Sequence, residues 1–143
     1  MNEYIEKALQ RVPNAKREVL EFIFQFREYG FRDTTVDDTS YEKFMCGYCY
    51  YFAVMLKDAF GRGDICLAAP YGHVCWKDIN DVPYDFCGIT DEYDYLIPIS
   101  YLGDDIESFK HVPGKNHHAT PERVNEIISQ YRKDQLLKEA HLF

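Results

Sequence analysis

Cys49, His73 and Asp85 are the three side chains of this sequence whose types and surroundings suit nucleophilic chemistry. Cys49 opens a predicted helix that runs to Phe60, with Phe52, Ala53, Leu56 and Phe60 on one face and Gly61 and Gly63 to stop it. The positive end of a helix favours a thiolate, which is the reactive form of the thiol. Gly47, two residues earlier, lets the chain turn sharply and approach closely. His73 follows a glycine and opens a predicted strand, where a rigid element would hold its ring. An imidazole there can take the thiol proton and later return it to a leaving group. Asp85 falls on the next predicted strand, where a carboxylate would orient the ring and stabilise its cation. A hairpin turning near Asn80-Asp81 pairs residues whose numbers sum to about 161, which sets Asp85 roughly three positions from the residue facing His73.

The elements that must position these residues are legible from periodicity. Glu3 to Arg11 reads as a short first helix, broken by Pro13-Asn14, with Asn14 as N-cap of the next. From Ala15 to Tyr29, Val19, Leu20, Ile23, Phe24 and Phe26 recur at helical spacing, and Gly30 ends the run. Residues 31–40 are polar and read as a loop. After the Cys49 helix the pattern changes to short runs rich in Val, Ile and Trp: Ile65 to Ala69, His73 to Ile79, Val82 to Ile89 and Tyr95 to Ile99. These predict an antiparallel meander. A last helix starts with Thr120 as N-cap, Pro121 in the first turn and Glu122 beside the positive end. Its apolar stripe, Val124, Ile127, Ile128, Tyr131, Leu136 and Leu137, is expected to pack on the sheet. The fold class is therefore α+β, one domain over residues 1–143, with a central helix carrying the cysteine against a small antiparallel sheet.

Two stretches resemble known families. Cys46-Gly47-Tyr48-Cys49-Tyr50-Tyr51-Phe52-Ala53 resembles the nucleophile segment of papain-like cysteine proteases, in which a C-G-x-C stretch leads into an aromatic-rich helix. Gly72-His73-Val74-Cys75-Trp76 with Pro83-Tyr84-Asp85 looks more like transglutaminase-like proteins, in which histidine and aspartate follow the cysteine helix on consecutive strands. The resemblance covers about residues 44 to 90. Papain relatives separate Cys and His by about 130–150 residues, so the short span from Cys49 to His73 fits the compact transglutaminase-like core. The resemblance implies Cys49 as nucleophile, His73 as base, Asp85 as orienting carboxylate, and acyl transfer on an amide or ester of a protein or peptide. Papain relatives also place a glutamine in the oxyanion hole, and none lies between Gln25 and Cys49 here. The Cys49 N–H, with Tyr41 or Tyr48 as hydroxyl donor, would have to serve.

Other chemistries use the same residues. Cys46-Gly47-Tyr48-Cys49 is also a C-x-x-C redox motif, but the polar residues from Asp37 to Lys43 cannot supply the buried strand that leads into one. Cys46, Cys49, His73 and Cys75 could ligate zinc, yet a helix start and a strand-borne H-x-C pair do not form a recognisable knuckle. No metal or other cofactor is expected. A non-enzymatic alternative is an acidic interaction or inhibitor module on the same fold. His111, His117 and His118 lie in a polar stretch and read as loop residues, and Trp76 as core. Eight tyrosines (41, 48, 50, 51, 71, 84, 93 and 95) suit the lining of a substrate cleft and equally suit core and rim positions.

Composition sets the frame. The net charge is −8, and no Lys or Arg occurs between Lys77 and Lys110. Such a surface repels phosphate backbones and admits a basic protein partner, so nucleic-acid binding is not expected. No apolar stretch long enough to span a membrane occurs, and the start lacks the features of a signal peptide. Five cysteines, an odd number, argue against a disulfide framework and suit reduced thiols in the cytoplasm.

Overall fold

A computed structural model describes residues 3–29, 49–69, 73–90, 93–103 and 121–141. Among them are four helices and one five-stranded sheet, an α+β arrangement. The helices are α1 (Glu3–Arg11), α2 (Arg17–Tyr29), α3 (Cys49–Phe60) and α4 (Pro121–His141). The strands are β1 (Asp64–Ala69), β2 (His73–Lys77), β3 (Pro83–Asp85), β4 (Gly88–Ile89) and β5 (Tyr95–Pro98). They lie in the order β4-β3-β2-β1-β5, and every pairing is antiparallel.

Strand alternation divides the sheet's side chains into two sets. Ile65, Leu67 and Ala69 of β1, Val74 and Trp76 of β2, Tyr84 of β3 and Ile97 of β5 enter the main core. There they meet Ile5 and Ala8 of α1, Val19, Leu20 and Ile23 of α2, and Phe52, Ala53 and Leu56 of α3. Phe60 and Tyr84 both stack on Trp76, whose indole N–H donates to the Arg62 carbonyl. The second set contains Cys66, Ala68 and Cys75, fully buried with Tyr93 and Leu96 packed against them. His73 and Asp85 belong to this second set by alternation, and both are buried.

The structure departs from the expected elements in four places. Helix α2 starts at Arg17, so Asn14 is not its N-cap; the Lys16 carbonyl accepts the first bonds, from the Val19 and Leu20 N–H groups. Tertiary contact overrides local preference there, because the Lys16 N–H donates to the Tyr84 hydroxyl at 2.9 Å and fixes where the helix begins. Strand β2 ends at Lys77 rather than Ile79 because Asp78 takes over the turn. Its buried carboxylate accepts the N–H groups of Asn80 (2.9 Å) and Val82 (3.0 Å), and Asp81 adopts a left-handed φ of 63°. Such a side-chain-stabilised turn is a usual role of aspartate. The run from Val82 to Ile89 splits into β3 and β4 at a tight turn that Gly88 closes with φ 106°. Finally, α4 buries Val124 and Ile127 but leaves Leu136 65% and Leu137 53% exposed. A helix of 21 residues runs about 31 Å, and it rests on the β5 edge through Tyr95–Tyr131 and Tyr101–Tyr131 ring contacts rather than across the sheet.

Candidate active site

Cys49 is the first residue of α3, where the helix leaves N–H groups without intrahelical acceptors. No acidic residue stands in that first turn to offset the positive helix end. The residue is 2% exposed and its thiol is free.

His73 opens β2 opposite Ala68 of β1, 6% exposed. Its Nε2 lies 2.9 Å from Asp85 Oδ2, and Asp85 is 4% exposed. A carboxylate accepts, so Nε2 carries the proton of that bond, and the lone pair of a neutral His73 resides on Nδ1. Nδ1 is buried and has no hydrogen-bond partner among the described residues. The Cys49 thiol is the group beside the ring whose proton sharing and charge raise its pKa alongside Asp85. Burial acts the other way and pulls the imidazole pKa down; the hydrogen bond to Asp85, then Cys49, then the two charges together push it up to about 9. The ring therefore holds a proton at neutral pH.

Asp85 is held at both oxygens. Oδ2 accepts from His73, and Oδ1 accepts from the Cys87 N–H at 2.7 Å within the β3–β4 turn. That turn is tied in turn to α1, where the Tyr4 hydroxyl donates to the Cys87 carbonyl at 3.2 Å. Against the imidazole lies the Tyr93 ring, with centroids 5.7 Å apart and planes 26° from parallel.

Two of the other three described thiols, Cys66 and Cys75, differ in kind. Burial pushes Cys66 up to about 11 and Cys75 well above the ordinary range. The two face each other across β1 and β2 and are fully buried. They fill space and resist ionisation, whereas Cys49 sits at a helix start beside a basic ring.

The three residues singled out for chemistry, Cys49, His73 and Asp85, are thus brought together. Gly47, Tyr41 and Tyr48, expected to shape the oxyanion site, lie outside the described residues, as do Cys46 and the histidines at 111, 117 and 118. The C-x-x-C and zinc alternatives both depend on Cys46. Among the described residues no three His, Cys, Asp or Glu side chains converge to hold a metal ion. Of the tyrosines expected near the site, Tyr84 is core, Tyr95 packs on Tyr131, and Tyr93 reaches His73. Sequence reasoning named Tyr93 only as one of eight and missed the Cys87 N–H altogether. A backbone donor carries no side-chain signal, and the Tyr93 contact joins β2 to the residues that lead into β5, on opposite sides of β1.

Comparison of the chain with protein-family models, with curated proteins and with solved structures gives no match. Among the described residues, no helix is long and apolar enough to cross a membrane.

Proposed function

We propose that this protein is a thiol-dependent acyl-transfer enzyme in which Cys49 is the nucleophile, His73 the general base and acid, and Asp85 the orienting carboxylate, on a compact papain- or transglutaminase-like core. The observation that carries the reading is the buried Nε2–Oδ2 bond of 2.9 Å, which assigns the proton of His73 to Nε2 and leaves Nδ1 for the adjoining thiol. In the proposed resting state the Sγ–H proton of Cys49 has already passed to Nδ1, which leaves a thiolate beside the protonated ring. The thiolate then adds to an amide or ester carbonyl carbon, and the resulting oxyanion takes a hydrogen bond from the helix-start N–H of Cys49. Collapse breaks the bond to the leaving amine or alcohol, which takes the proton back from Nδ1. Water or a second amine, deprotonated by the same nitrogen, then releases the acyl group from sulfur. Water would make the protein a peptidase, isopeptidase or deamidase; an amine would make it transglutaminase-like. Protein or peptide substrates suit the reading, and a basic one suits the net charge of −8.

The test is the rate of iodoacetamide alkylation at each cysteine, read by peptide mass spectrometry on wild type and His73→Ala. Cys49 should react faster than Cys66 and Cys75, and loss of His73 should slow it about tenfold or more near pH 7, because an unpaired thiol is only a few per cent ionised there. Equal Cys49 rates in the two proteins would remove the thiol–imidazole pair and leave an acidic interaction module as the better account. That module predicts that Cys49→Ala retains partner binding.

A further inference from the structure

We propose that Tyr93 is a positioning residue for His73, setting the plane of the imidazole so that Nδ1 is presented to the Cys49 thiol. The inference rests on the acyl-transfer reading above and adds a residue to it.

One hydrogen bond fixes a point and not a plane. The bond from Nε2 to Asp85 and the covalent link to β2 locate two ends of the His73 ring, and the angle of its plane about the Cβ–Cγ bond is what remains to be set. Tilting swings Nδ1 through an arc and would take it away from the thiol. A second constraint acts on the flat face, because Nε2 is taken by Asp85 and Nδ1 has no hydrogen-bond partner among the described residues to fix the plane. The Tyr93 ring supplies it at 5.7 Å and 26°.

The fold holds Tyr93 there by its own backbone. The next residue, Asp94, donates its N–H to the Ala69 carbonyl at 3.0 Å, and β5 then continues along β1 with Ala69 facing Tyr95 and Ala68 facing Leu96. Ala68 also faces His73 on its other side. The small side chains of Cys66, Ala68 and Cys75, against which Tyr93 packs, leave room for the phenol to lie across the end of β1. The electrostatics agree with the geometry: a cation within about 6 Å of an aromatic face is attracted to it, so the tyrosine favours the protonated ring that shares a proton with Cys49.

The experiment compares wild type, His73→Ala, Tyr93→Phe, Tyr93→Leu and Tyr93→Met. Its two readouts are the alkylation rate of Cys49 at pH 7 and the NMR titration of the His73 Cε1–H signal. Leucine keeps the apolar cover and removes the π face. The expected result is a Cys49 rate about three- to tenfold lower in Tyr93→Leu, the range of an aromatic pair contribution, with the His73 midpoint shifted to lower pH. Tyr93→Phe should restore both to within about twofold of wild type, since the face and not the hydroxyl is at work. A packing role alone would lower the melting temperature but leave the midpoint in place. Should Tyr93→Leu fail to fold, Tyr93→Met, which refills the volume without a ring, gives the same comparison. If His73→Ala slows Cys49 but the leucine or methionine variant matches wild type in rate and midpoint, the tyrosine proposal is wrong and the triad stands. If His73→Ala leaves Cys49 unchanged, the triad itself is wrong, and Tyr93 with it.

Discussion

His73 and Asp85 are diagonal neighbours across β2 and β3. Trp76 faces Tyr84 and Lys77 faces Pro83, so the same register sets Asp85 against Cys75, two positions from His73. An offset of two keeps both side chains on one face of the sheet, within the reach of a diagonal pair. A register one residue longer would have set Asp85 against Trp76 and turned it to the opposite face. The device that prevents this is the Asp78 turn, whose carboxylate fixes where the chain reverses. The candidate site thus depends on an aspartate that lies outside it.

Asp85→Asn tests the charge of that pair with little change of shape. An asparagine oxygen can still accept from Nε2, but the negative charge beside the ring is gone. We expect the His73 midpoint to fall from about 9 by about one unit or more, and the alkylation of Cys49 at pH 7 to slow about tenfold, as a less basic ring holds the proton less well. Asp85→Ala, which leaves a buried ring unpaired, should cost about 3 kcal/mol in urea denaturation. An unchanged midpoint in Asp85→Asn would mean that the hydrogen bond and not the charge sets the basicity of His73.

The same pair makes stability depend on pH in a definite direction. The folded ring titrates near 9, against about 6.5 in the unfolded chain. Below 6.5 both states carry the proton and the contribution is complete. Between the two values only the folded state binds it, so stability falls by about 1.4 kcal/mol per pH unit, and above the upper value the contribution is lost. Urea midpoints should therefore drop between pH 6.5 and 9.5 in wild type, and the drop should be shallower in His73→Gln. Parallel curves for the two proteins would contradict the assignment.

Gly88→Ala should loosen the turn that holds Asp85. Gly88 has φ 106°, and an added Cβ would come within 2.8 Å of the Tyr4 hydroxyl. We expect a loss of about 1–2 kcal/mol, mainly from backbone strain. Because part of the cost is contact with Tyr4, the Tyr4→Phe background should absorb some of it, and the double-mutant cycle should show coupling above about 0.5 kcal/mol. Strict additivity would assign the whole effect to the backbone.

The sequence alone determined the order and type of most elements and the identity of the candidate nucleophile. The bounds of α1 and α3 follow from hydrophobic periodicity and from Gly61, whose N–H closes on the Lys57 carbonyl, because these signals are local. Cys49 was recognisable because its place at a helix start is a local property too. Trp76 was legible as core from the alternation around it, and it is buried. What only the tertiary structure decided is everything that depends on parity or on distant chain. Hydropathy suggested a hairpin near Asn80 but not whether its register was even or odd, and Asp85 reaches His73 in only one of those cases. The start of α2 was moved by a tyrosine 68 positions away. The pairing of Asp85 with His73, which raises the basicity of the ring against the effect of its burial, arises from strands that meet only in the fold. Local preference is written residue by residue, whereas register, burial and proton affinity are properties of surfaces that come together.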